Sequence, residues 1–172
     1  MSSRTALIWF RRDLRLSDNP ALRRAVDEAD TVIPVFVHDE TEGEWSHGAA
    51  SRWWLHHSLA ALDDALRGKG SRLVFRRGEA LTELQQLAQD TGASAVYWNR
   101  LYDPHLVARD TGIKKAFEEN GIRAHSEKMY EVAVCDGLPV TVLPGAWRTR
   151  AISVSWDALL KFQLFNPQAY EV

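Results

Sequence analysis

The sequence is poor in the residues that usually staple, coordinate or anchor a chain. Its only cysteine is Cys135, so a disulfide framework and a cysteine-based metal site within the chain are both excluded. That usage fits a reducing cytoplasm, and a cytoplasmic location is expected. The apolar run near the N-terminus, "TALIWF", is six residues, too short for a signal peptide or a membrane span. No excess of one charge exists: the formal net charge is −2, so no global field favours DNA. Neither GxGxxG nor GxxxxGK[ST] occurs, which removes the ordinary dinucleotide and P-loop fingerprints. There is no HExxH, no Gly-x-Ser-x-Gly elbow, no Cys/His nucleophile pair and no prominent carboxylate pair. By its own residues the chain does not read as a self-sufficient enzyme.

What it has is rhythm. Five apolar runs read as strands: Thr5–Phe10, Thr31–Val37, Arg72–Phe75, Ala95–Trp98 and Arg123–His125. Their apolar residues run together, as in strands covered on both faces. Helical patterns lie between them. The first starts at "SDNP", where Asp18 or Asn19 can cap and Pro20 suits the first turn. The second spans 49–67, with Leu55, Leu59, Leu62 and Leu66 on one stripe and "GKG" beyond its end. The third covers 79–91 and the fourth 104–119. This alternation predicts an α/β fold: a doubly wound, five-stranded parallel sheet of order 3-2-1-4-5, Rossmann-like, with helices on both faces. From residue 127 onward the alternation stops. That stretch reads as a diverged linker or arm, with a short helix expected at Asp157–Phe165.

In doubly wound sheets ligands bind beyond the carboxyl ends of the strands, near the switch in strand order. All five ends are polar or charged here. The first, in "WFRRDLRLSDNP", concentrates Arg11, Arg12, Asp13 and Arg15. These arginines can grip a phosphate or carboxylate, or pair with Asp13 and Asp18 and fix the turn. The expected crevice lining is Arg11, Asp13, His38, Asn99, Arg100 and Asp103, with Arg52 and His56 from the second helix as a wall. Asp103 also suits a turn or cap. His56 and His57 point about 100° apart on a helix, so they do not converge on a metal. Trp53 and Trp54 offer one pocket wall and one core residue.

"LIWFRRDLRLSDNPAL" resembles the start of the DNA photolyase/cryptochrome family. "IPVFVHDE", "GAASRWWLHHSLAALDDALRGKGSRLVFRRG", "AVYWNRLYDPHLVARD" and "GIRAHS" are similar, in order and spacing, to the family's second to fifth strand–helix units. The resemblance thus covers about 4–126. It implies an N-terminal α/β antenna domain over 1–126, holding a light-harvesting folate, deazaflavin or flavin. It also implies that a separate helical domain, expected to be absent from this chain, carries FAD, binds DNA and performs light-driven repair of pyrimidine dimers. That helical domain is the implied partner, and DNA would be reached only through it. Folate-binding members carry an Asn-Glu pair just before "ARD"; here those positions are His105 and Leu106. A deazaflavin or flavin antenna, or none, is therefore favoured over folate. "GLPVTVLPGAWRTR" keeps part of the family's next segment, after which the likeness fades. Apolar residues in the 127–172 tail suggest self-association. Two other readings stand beside the antenna domain: a stand-alone nucleotide- or flavin-binding regulatory module, and a fragment without a ligand.

Overall fold

A computed structural model describes residues 4–39 and 48–128 in full, and the backbone of 131–135 and 138–142. The chain divides into two compact units after Met129. The first runs β1 (Thr5–Phe10), α1 (Pro20–Glu28), β2 (Thr31–His38), α2 (Ala49–Arg67), β3 (Val74–Arg77), α3 (Ala80–Thr91), β4 (Ala95–Asn99), α4 (Pro104–Glu119) and β5 (Arg123–Glu127). Its five strands form one sheet in the order β3-β2-β1-β4-β5. All four pairings are parallel. This is the predicted topology, with the switch between β1 and β4.

The strand residues are apolar on both sides because both sides are covered. Leu7 and Trp9 of β1 join Val35, Val96, Trp98, Leu84, Ile113 and Phe117 in a core under α3 and α4. Ala6, Ile8 and Phe10 point the other way and meet Ala21 and Ala25 of α1 and Leu62 and Leu66 of α2. The period of two thus sends alternate residues of one strand into two cores. Every residue of β4 is buried, as expected for a strand next to the centre.

Local chemistry sets the helix ends. Asn19, not Asp18, caps α1: its Oδ1 accepts from the Leu22 N–H at 3.0 Å. At the end of α3, Gly92 takes the left-handed conformation at φ 65° and the Ala93 N–H reaches Ala88 O at 2.9 Å. β3 starts two residues later than the apolar run suggests. The Leu73 N–H is held by Asp63 Oδ1 of α2 at 2.8 Å, so sheet pairing begins at Val74, beside Val35.

The second unit holds an antiparallel pair, β6 (Glu131–Cys135) and β7 (Leu138–Val142), with Cys135 opposite Leu138. This hairpin lies in the stretch that the sequence reading assigned to a linker or arm, with no strands placed in it. The signal was Asp136-Gly137 between two apolar runs, a dipeptide favoured in tight hairpin connections. The helix expected at Asp157–Phe165 lies outside the described residues. So does most of the tail expected to self-associate.

Candidate functional site

Two neighbouring regions occupy the carboxyl ends of the strands. The first is the seam between β1 and β4. Arg11 leaves the end of β1 and is buried, at 8% exposure. Its Nη1 donates to Asp110 Oδ2 of α4 at 2.5 Å, its Nη2 donates to the Asn99 carbonyl, and its backbone N–H donates to Asp13 Oδ1 at 2.9 Å. Burial lowers the Arg11 pKa from its ordinary value, and the Asp110 carboxylate pulls it back up; the guanidinium stays charged. The Asn99 side chain is fully committed. Its Oδ1 accepts from the Ala21 N–H at 3.1 Å. Its Nδ2 donates to Asn19 Oδ1 at 2.7 Å and to Asp13 Oδ2. An amide with both hydrogens and its oxygen engaged has filled its main bonding capacity. Above this layer, half-exposed Arg12 pairs with Asp103 at 2.9 Å.

The sequence reading placed these β1 and β4 residues face to face, and they are. The arginines, however, pair with Asp110 and Asp103 across the sheet, not with Asp13 and Asp18 in their own loop. Arg15 donates to the Asp18 backbone carbonyl at 3.1 and 3.3 Å. Asp103 makes no side-chain capping bond to α4; its carboxylate serves Arg12 instead. Arg100 turns toward β5, with Nε 3.2 Å from Ser126 Oγ. Asp110 was not among the expected crevice residues, yet its signal was present. Leu106, Asp110, Ile113 and Phe117 form the buried stripe of α4, and a carboxylate on such a stripe needs a buried cation.

The second region is a cavity of about 930 Å³ between the ends of β1 and β2 and the first turns of α2. Arg11, Arg12, Arg15, His38 and Asp39 contribute polar lining; Trp9, Phe36, Trp53, Trp54, Leu55 and Leu101 contribute apolar lining. The cavity exists because α2 leaves the sheet. Leu62 and Leu66 are buried at its C-terminal half, whereas Leu55 and Leu59 are only half-buried. Trp53 and Trp54 are 60% and 68% exposed, so neither is the core residue expected. They stack on each other at 6.0 Å, and Trp53 lies 4.3 Å from the His57 ring. Trp9, whose ring lies in the core under α3 and α4, has the Arg11 guanidinium 4.6 Å and the Arg109 guanidinium 5.3 Å from its ring centre. The Trp9 Nε1–H is buried without a hydrogen-bond partner.

The eight candidate residues therefore separate. Arg11 and His38 line the main cavity. Arg52 and His56 line a smaller cavity beside it, which His38 also borders. Asp13 and Asn99 lie in the seam, while Arg100 and Asp103 lie at its edge. Sequence reasoning sought polar strand ends and so missed the apolar lining, Trp9, Leu14, Phe36 and Leu101. Among the described residues no cluster of three or more His, Cys, Asp or Glu side chains is placed to hold a metal. Among them, too, no helix is long and apolar enough to cross a membrane.

Comparison with known proteins places this geometry. The family model described as DNA photolyase matches residues 6–142. A deoxyribodipyrimidine photo-lyase of Agrobacterium fabrum is 46% identical over 128 residues, covering 73% of this chain and 26% of that protein. Cryptochrome-1 of Arabidopsis thaliana is 40% identical over 160 residues, covering 88% of this chain and 23% of that protein. The chain thus spans about a quarter of the length of these relatives. Among solved structures, a class III photolyase from Agrobacterium tumefaciens superposes with TM-score 0.71 at 43% identity, over 74% of this chain and 26% of that one. An archaeal photolyase from Sulfolobus tokodaii superposes with TM-score 0.68 at 38% identity, over 74% of this chain and 30% of that one. That protein holds two FAD molecules, which imply a novel light-harvesting cofactor in it. A family of this kind binds flavin and antenna chromophores, and the fold, the match across 6–142 and the aromatic cavity agree with it. The chain belongs to the DNA photolyase family and is its N-terminal, photolyase-like chromophore-binding domain.

Proposed function

We propose that this domain is a light-harvesting antenna. Its chromophore would pass excitation to FAD held by a helical partner domain, and that domain would use it for light-driven repair of pyrimidine dimers. The observation that carries the reading is the cavity of about 930 Å³ at the strand ends, walled by Trp53 and Trp54. Its size falls within the range of ligand pockets, roughly 300–1,000 Å³. Paired indoles provide an apolar surface for a planar ring.

The chromophore is a flavin or deazaflavin rather than a folate. Where folate-binding members carry Asn-Glu, this chain has His105, which is exposed, and Leu106, which is buried at 1% exposure on the core side of α4. A buried leucine offers a pterin no hydrogen bond. DNA contact belongs to the helical domain, in keeping with a net charge of −2 here. A cytoplasmic setting accords with the single cysteine.

The deciding measurement is an absorption spectrum of the protein as isolated, with mass spectrometry of whatever denaturation releases. A near-ultraviolet or blue band from a flavin or deazaflavin is expected. Protein that is colourless, and stays so after incubation with FMN and with a deazaflavin, would sink the antenna reading. A released folate would refute the choice of chromophore.

A further inference from the structure

The loop between β1 and α1 supplies three arginines to the lining of the main cavity, Arg11, Arg12 and Arg15. Their charges are not equally spent. Arg11 is buried against Asp110, and Arg12 pairs with Asp103 at 2.9 Å. Asp39, the carboxylate of the same lining, has Arg109 Nη1 at 3.7 Å and accepts from the Ala80 N–H at 3.3 Å. Arg15 differs. Its Nε and Nη2 both donate to the Asp18 carbonyl, at 3.3 and 3.1 Å, and its Nη1 stays unbonded. A neutral carbonyl takes two of its N–H groups and leaves its charge unmatched. Among the described residues Arg15 is thus the charged side chain of this lining that makes no ion pair.

The guanidinium is nonetheless held in place. Asp18 takes the left-handed conformation at φ 50°, which no other described residue except glycine adopts and which a short polar side chain tolerates. That turns its carbonyl to the Arg15 fork. The backbone of Arg15 is fixed at both polar groups: its N–H donates to the Asp13 carbonyl at 2.7 Å, and its carbonyl accepts from Asn19 Nδ2 at 3.1 Å. The side chain is exposed, so a ligand entering from solvent can reach the charge.

We propose that Arg15 is the anion-binding residue of the main cavity, and that it makes the domain select a ring ligand carrying a phosphate over the same ring without one. The proposal rests on the reading that the ring lies in this cavity. A guanidinium bonds a phosphate through charge-assisted N–H donors, stronger than neutral ones, and one already oriented loses less side-chain freedom on binding. Arg11 and Arg12 could serve a phosphate only by giving up Asp110 or Asp103. An uncharged ligand end would leave the Arg15 charge unmatched.

The test uses the full chain with riboflavin, FMN and inorganic pyrophosphate. Flavin fluorescence gives the two affinities, and FMN is expected to bind about tenfold tighter than riboflavin. In R15Q that ratio should fall to about one. R23Q removes the same charge from an exposed arginine of α1 that does not line the cavity, and should keep the ratio within about twofold because solvent screens it. Unchanged far-ultraviolet spectra report that both variants fold. Equal affinities in the wild type, a ratio unchanged in R15Q, or the same fall in R23Q overturns the assignment. When neither flavin binds, the ring reading fails and pyrophosphate decides on Arg15. A thermal midpoint raised more in the wild type than in R15Q keeps Arg15 as an anion site. An equal shift in the two, zero included, refutes it.

Discussion

The seam between β1 and β4 and the cavity between β1, β2 and α2 sit side by side, and they use charge in opposite ways. In the seam, Arg11, Asp13, Asn19, Asn99 and Asp110 are buried and bonded to one another. In the cavity, the Trp53 and Trp54 rings stand more than half in solvent. A polar cluster at the switch of a doubly wound sheet is thus not a binding site merely by its position. Where side chains satisfy each other, the crevice is closed. The space for a ligand opens one strand away, where a helix parts from the sheet.

Substitutions should separate the two regions. The largest effect is expected from Asp110→Ala, which leaves the Arg11 guanidinium buried without its counter-charge. Losing one partner of such a pair costs roughly 3–5 kcal/mol, read as a lower urea midpoint. A loss below about 1 kcal/mol, the scale of a surface pair, would mean that the seam is hydrated and open. Next, Asn99→Ala strips partners from Asp13 and the Ala21 N–H and should cost roughly 1–3 kcal/mol. Trp53→Ala should do the reverse. Chromophore per protein, measured by absorbance, should drop, while stability stays within about 0.5 kcal/mol because the ring is exposed. A Trp53→Ala protein that keeps its colour but melts early would invert the comparison.

A buried polar group outside both regions supplies a control. Tyr97 is fully buried, and its hydroxyl donates to Glu28 at 2.8 Å. Burial first, and the bond to Glu28 second, push its pKa up to about 12. A raised folded value stabilises below the unfolded value of about 10. That contribution is lost as pH rises through about 12. Ultraviolet titration should therefore show one of the four tyrosines ionising late. Its disappearance in Tyr97→Phe would confirm the assignment, and persistence would refute it. The smallest effect belongs to Arg12→Ala. Its partner Asp103 is also half-exposed, so the loss should be about 0–1 kcal/mol. Set against Asp110→Ala, it measures what burial adds to an arginine–aspartate pair.

Much of the fold was legible because its signals are local. Pro20 and Asn19 mark the start of α1, the leucine stripe marks α2, and continuous apolar runs mark strands covered on both faces. Alternation and right-handed crossovers narrow the sheet to doubly wound orders such as the 3-2-1-4-5 observed. β3 was misplaced by two residues because a side chain of α2, Asp63, takes the Leu73 N–H from the sheet. The hairpin at 131–142 was overlooked although Asp136-Gly137 announces it. At the site, the encounter of β1 with β4 was foreseen but the partners were not. Arg11 and Asp110 stand 99 positions apart, and no local pattern ranks such a pair above Arg11 with Asp13.

The sequence alone determined the architecture, its family and the end of the sheet where chemistry gathers, since hydrophobic period and turn chemistry act over a few residues. Only the tertiary structure decided which charges are consumed and which face a cavity. Pairing depends on distances between elements remote in the chain. Cavity volume depends on how far the first turns of α2 stand from β1 and β2. Both are properties of packing, which no single segment carries.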